Sequence, residues 1–194
     1  MSDEPVNFPR FLLLNGPQHD CIALSDLLCS ANYATYMDFA DPLYNATSSI
    51  FFNNHIFDLH VEDDEFWTKP LPLTNITFAH WIDRQKDFIR DYCGNDILGR
   101  LFLQTYKTEM WEETFPNLII RDFDNASDIR PLIEAYGPDS CICVFLGTLN
   151  SYDNLHKHVR SLVPQQTRNI WIPVPEARKQ LAYLLHEMEN LQLA

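Results

Sequence analysis

The sequence predicts an α/β fold, a mostly parallel sheet covered by helices on both faces. Short apolar runs alternate with segments of helical period along the whole chain, as in strands joined by helical crossovers. The runs Phe11-Leu12-Leu13-Leu14 and Cys141 to Leu146 are apolar throughout, the pattern of strands buried on both faces. Gly16-Pro17, Gly94-Asn95-Asp96 and Gly137-Pro138 punctuate the pattern where turns are needed.

Residues 1–10 read as a loose arm ending at Pro9, and the first strand as 11–15. A helix follows from Ile22 to Ala31, with Leu24, Leu27, Leu28 and Ala31 on one face. Tyr33 to Phe39 reads as a second strand. Asp41-Pro42 predicts a helix start, with Asp41 as N-cap and the helix running over 42–52 through Leu43, Ala46, Ile50 and Phe51. Residues 53–75 are irregular, acidic at Glu62-Asp63-Asp64-Glu65 and rich in aromatics. Thr77 to Tyr92 is helical, with Phe78, Trp81, Ile82, Phe88 and Ile89 on adjoining faces. Ile97 to Trp111 is the next helix, with Leu98, Leu101, Phe102 and Tyr106 inward. Asn117 to Asp122 is a strand ending on an acid, Ala126 to Tyr136 a helix, and Ser140 to Leu146 a β-branched and aromatic strand. After a polar stretch over 147–166 comes a last strand, Arg168 to Val174. An amphipathic helix from Pro175 to Leu193 ends the pattern, with Leu181, Leu184, Leu185, Met188 and Leu191 facing the core.

With 194 residues the chain can bury one good core, so one domain is expected. The net charge of −13 opposes nonspecific binding to nucleic acid or anionic membranes and suits docking onto a basic surface. No apolar run approaches the roughly 20 residues of a membrane helix, and the acidic N-terminus lacks a signal-peptide pattern, which places the chain in the cytoplasm. The five cysteines are scattered, and Cys141-x-Cys143 fits neither metal nor redox spacing, so reduced buried thiols are expected. His156 and His158 lack a carboxylate frame for zinc, and Ser25 lacks the partners of a hydrolase triad.

The strand, the Gly16-Pro17 turn and the helix after it have the layout of a phosphate-binding loop. Counted from Gly16, the motif G-x-x-x-x-G-K-[ST] calls for Gly, Lys and Ser or Thr at positions 21–23. The chain has Cys21, Ile22 and Ala23, with Ser25 two residues on.

Four stretches together resemble the phage deoxynucleoside monophosphate kinases, within the nucleoside monophosphate kinase fold. These are Leu12-Leu13-Leu14-Asn15-Gly16-Pro17; Phe39-Ala40-Asp41-Pro42-Leu43, similar to the family's F-A-x-P-L string; Arg84 with Gly94-Asn95-Asp96-Ile97-Leu98-Gly99-Arg100, similar to G-x-D-I-F-G-R; and Asp122 with the segment Tyr136 to Cys141. The likeness spans about residues 11–190. It implies one kinase-like domain with a P-loop kinase fold, a monophosphate-binding insertion at about 42–92 and a lid-like segment at about 147–167. By match of position Asp41, Arg84 and Arg100 would face an acceptor nucleotide, Gly16 would belong to the phosphate loop, and Asp122 would lie near metal and phosphates.

The departures are in the phosphate grip. The lysine and hydroxyl are replaced, the lid opens with Gly147-Thr148-Leu149-Asn150 instead of an arginine, and Tyr44 stands where the family usually has lysine. Phosphoryl transfer rests on positioning and charge stabilisation, so these losses predict an inactive protein. The expectation is therefore a nucleotide-kinase-like pseudoenzyme with no cofactor, acting as an interaction or regulatory protein through its acidic surface. Its partner would be a protein, such as a host factor with a basic surface. Two alternatives stand beside it. One is a divergent deoxynucleoside monophosphate kinase using ATP and magnesium; the other is a non-catalytic nucleotide-binding module. Phe51, Phe52, Phe57 and Phe66 leave room for a homodimer surface.

Overall fold

In the computed structural model, β1 (Phe11–Asn15) is the middle strand of a five-stranded, all-parallel sheet of order β2-β3-β1-β4-β5. The other strands are β2 (Thr35–Asp38), β3 (Leu118–Arg121), β4 (Cys141–Leu146) and β5 (Arg168–Ile172). The structure describes residues 8–53, 64–108, 111–121, 125–147, 168–173 and 176–192. Among them are eight α-helices: α1 (Gln18–Ser30), α2 (Asp41–Phe52), α3 (Asp64–Thr68), α4 (Phe78–Cys93), α5 (Ile97–Thr108), α6 (Trp111–Thr114), α7 (Arg130–Tyr136) and α8 (Ala177–Gln192). Short 3-10 turns, Ala126–Ile129 and Pro138–Ser140, precede α7 and β4.

The sequence pattern and the sheet position agree strand by strand. β1 pairs with β3 and β4 on its two sides, Phe11 lying opposite both Leu118 and Cys141. Helices cover both of its faces, so Phe11 to Leu14 are all buried and the run has no polar alternation. The edge strands β2 and β5 have one neighbour each, and their burial alternates.

Successive side chains on the strands enter two different cores, and those two apart share one. On one face Phe11, Leu13, Ile120, Cys141, Cys143 and Phe145 meet Phe102 and Tyr106 of α5 and Leu132 of α7. On the other, Leu12, Leu14, Ile119, Ile142, Val144 and Ile172 meet Leu24 and Leu28 of α1 and Leu184 and Met188 of α8. A third, mostly aromatic cluster joins α2, α3 and α4: Tyr44, Leu71, Phe78 and Ile82, with Phe51, Phe52, Phe66, Trp67 and Trp81 against them. Phe66 and Phe78 have ring centroids 4.9 Å apart. Phe51, Phe52 and Phe66 thus spend much of their surface inside the chain; Phe57 lies outside the described residues.

Several local expectations are corrected. The arm's end is not loose: Phe8 and Pro9 are buried, and Phe8 stacks on Tyr33. Helix α1 begins four residues before Ile22, and Ala31, its C-cap, is exposed. Asp41 is the first residue of α2 and not its N-cap, which is Ala40; its carboxylate accepts from the Asp38 amide at 2.9 Å instead. Helix α2 is rotated from the expected face. It buries Tyr44, Thr47 and Ser48, while Ala46 and Ile50 are exposed. On α4, Phe88 is exposed and Lys86 is buried.

The helix expected over Ile97 to Trp111 ends at Thr108, and a separate short helix begins at Trp111. The one expected from Ala126 starts as a 3-10 turn capped by Asn125. Not all thiols are buried: Cys93 is exposed and Cys29 partly so. Glu62, Asp63 and the stretch 148–167, with the lid-like segment, His156 and His158, lie outside the described residues.

Candidate functional site

In an open parallel sheet, ligands bind at the carboxyl ends of neighbouring strands whose following helices lie on opposite faces. β1 and β3 are such a pair: α1 packs in the core with α8, and α7 in the core with α5. The edge of interest is therefore Asn15 at the end of β1 with Gly16 to Asp20 after it, Arg121 at the end of β3, Asp38 at the end of β2, and Leu146-Gly147 at the end of β4.

Only Gly16 and Pro17 separate β1 from α1. The Pro17 carbonyl accepts from the amides of Asp20, at 2.9 Å, and Cys21, at 3.1 Å, so the first helical turn closes at once. A Cβ on Gly16 would stand 2.6 Å from the Leu146 carbonyl oxygen and 2.7 Å from Leu146 Cβ, an approach only glycine permits. A Cβ on Gly147 would lie 3.4 Å from Pro17 Cδ, and the Gly147 carbonyl accepts from Trp171 Nε1 at 3.1 Å. The end of β4 thus lies directly against the β1–α1 turn.

A phosphate loop wraps its anion with backbone amides ahead of the helix. Here positions 18–23, which would supply that loop and its lysine and hydroxyl, are already helical. Cys21 faces the core, while Ile22 points to solvent at 39% exposure. Ser25 is buried, and its hydroxyl donates to the Ile22 carbonyl at 2.8 Å, so it is turned into its own helix. Asp20 occupies the first turn, where its charge opposes the positive end of the helix dipole, and His19 Nε2 lies 3.3 Å away. Burial and then the Asp20 charge push the Cys21 thiol up to about 12. The local field at this turn is thus set against a second anion.

At the neighbouring strand ends, the β2–β3 register places Asp38 beside Arg121. Arg121 Nε donates to Asp38 Oδ1 at 3.0 Å, and the guanidinium carbon lies 3.8 Å from the Tyr36 ring centroid. Burial works against the Arg121 charge, but the Asp38 carboxylate outweighs it and holds the guanidinium's pKa above its ordinary value. Sequence reading missed this pair. The two residues are 83 positions apart, and only the strand register joins them.

Gly16 and Asp41 lie at this edge, and α4 and α5, which carry Arg84 and Arg100, both pack against α2. Arg84 is exposed on α4. Arg100 is exposed as well, and it donates from Nε and Nη2 to Asp96 Oδ2 at 3.0 and 2.7 Å. The Arg100 hydrogen bond holds the Asp96 carboxyl below its usual range. Asp122 lies outside the described residues. Among the described residues, no group of three or more His, Cys, Asp or Glu side chains is placed to hold a metal ion.

The string from Gly94 to Arg100 has a structural use of its own. Gly94, at φ 113°, ends α4, and the Asp96–Arg100 pair spans the first turn of α5. A Cβ on Gly99 would fall 1.9 Å from the Asp128 carbonyl oxygen. Asp128, 1% exposed, accepts from the Gly99 amide at 3.2 Å and from Arg90 Nη2 at 2.9 Å. That buried ion pair, joining residues 38 apart, was also not legible in the sequence. No family model matches this chain, and no curated protein matches it significantly.

Proposed function

We propose that the chain is a catalytically inactive protein of nucleoside monophosphate kinase type that works by binding a protein partner. The observation that carries this reading is the two-residue link between β1 and α1, with Asp20 in the first helical turn. A triphosphate seated there would meet helical backbone whose Asp20 and Cys21 amides are already engaged, a carboxylate, and the side chain of Ile22. The loss is one of backbone shape as well as of side chains. The kinase-type frame is supported by the all-parallel sheet with β1 at its centre and by the reversal of winding between β1 and β3. The partner reading is supported by the charge of −13, which favours a basic protein surface.

The test is calorimetric titration with ATP and magnesium and with each deoxynucleoside monophosphate, together with a coupled assay for phosphoryl transfer. The reading expects no ATP binding and no turnover; turnover in the ordinary range of about 1–100 per second would end it. A second reading, a nucleotide-binding module without catalysis, is favoured by the exposure of Arg84 on a helix packed against α2. It expects a monophosphate to bind and that affinity to fall in Arg84→Ala.

A further inference from the structure

Helix α4 has one face that is exposed and that no described contact uses for packing. Its core side is Phe78, Ile82 and Lys86. Its outer side carries two ridges at helical spacing. Phe88 and Tyr92 form the first, one turn apart, 56% and 77% exposed, with ring centroids 4.6 Å from each other. Arg84 stands one turn before them. Asp83, Asp87 and Asp91 form the second, also one turn apart and all exposed. Among the described residues none of these acids enters an ion pair.

We infer that this face of α4 is the docking surface of the protein, and that it takes an amphipathic basic helix of a partner protein. The inference rests on the partner reading above and names the partner's chemistry. Two paired, solvent-facing aromatic rings on one helix are an apolar ridge of the kind that anchors a helix-to-helix contact. The acids beside them are spaced to meet lysines or arginines one turn apart on the partner's flank, and those cations also have ring faces to lie over. A second copy of the chain is the poorer fit. It would bring three carboxylates per copy to one interface, with Arg84 the only exposed cation on either ridge. Cys93, exposed at the end of the same helix, follows Tyr92 directly and offers a native attachment point for a reporter dye.

The experiment measures binding of a dye-labelled Lys/Leu peptide of about 18 residues, long enough to hold an amphipathic helix, by fluorescence anisotropy. Phe88→Ala with Tyr92→Ala, and separately Asp83→Asn with Asp87→Asn and Asp91→Asn, should each weaken binding about tenfold. A control triple, Asp26→Asn with Glu134→Gln and Glu189→Gln, makes the same change of charge at exposed sites elsewhere and should leave affinity within about twofold. A Glu/Leu peptide should not bind, and added salt should weaken the wild-type complex. The inference is overturned if both α4 variants bind as wild type does, or if the control triple loses as much as the acid triple. It is also overturned if the wild type sediments as a dimer that the aromatic double variant splits, since the occupant is then a second copy. Kinase turnover would remove the partner reading without touching the peptide result. Peptide binding indifferent to α4, with no turnover, removes this inference alone.

Discussion

Asp128→Ala tests whether the Gly94 to Arg100 string is there for packing. Asp128 is 1% exposed, and the Arg90 side chain it faces is 14% exposed. Removing the carboxylate leaves a guanidinium largely out of water and the Gly99 amide without its acceptor. Breaking one side of a buried ion pair costs about 3–5 kcal/mol. Both residues take part in further interactions, which puts the expected loss at the lower end, about 3 kcal/mol. For a chain of this size that is a fall in melting temperature of about 6–12 °C. Gly99→Ala should cost a similar amount, because its new methyl must displace the Asp128 backbone from 1.9 Å. Urea denaturation followed by tryptophan fluorescence, with thermal unfolding by circular dichroism, reads both. If Asp128→Ala costs under about 1 kcal/mol, or Gly99→Ala unfolds like the wild type, the packing explanation of this string is wrong.

Other consequences follow from single features. Leu73 has φ 62° and is fully exposed, at the second central place of a turn whose first is Pro72, so Leu73→Gly should stabilise by about 1 kcal/mol; no gain in urea midpoint would refute the strain. Cys93 should react quickly with an aromatic disulfide reagent while Cys21, Cys141 and Cys143 react only on unfolding; fast labelling of all five contradicts the burial. Burial raises the Cys21 and Cys141 thiols from 9.0 to about 12, so the unfolded chain loses these protons first. Their contribution to stability is complete below pH 9 and lost as pH rises from there toward 12, and a flat denaturation midpoint over that range would contradict it. Ile22→Lys with Ala23→Ser restores side chains of the phosphate-loop motif but leaves them in α1, so it should not create ATP binding; calorimetric heat from ATP in that variant would show that backbone shape is not the obstacle.

The sheet was legible because buried strands announce themselves. β1 has the expected bounds, and β4 differs from its expected range by one residue, Ser140, which the 3-10 turn takes. Helix faces are less legible where polar residues do the packing. α2 buries Thr47 and Ser48, whose hydroxyl donates to the Tyr44 carbonyl, and so turns Ile50 outward. The apolar periodicity begins only with Ile22 and Leu24, whereas Pro17, with φ already −54°, allows α1 to begin at the next residue. At the candidate site, Gly16 and Asp41 do lie at the carboxyl edge of the sheet. The Asp38–Arg121 and Arg90–Asp128 pairs could not be read in advance. Each depends on the placement of elements that are far apart in sequence.

On the reading proposed above, the turn after β1 does not have the shape that holds a triphosphate. The most direct measurement is titration of the wild-type protein with ATP and magnesium by calorimetry, with the amide resonances of Gly16 to Ala23 followed in parallel. The expected result is no heat and no movement of those resonances at millimolar nucleotide. Saturable binding that shifts them would contradict the account.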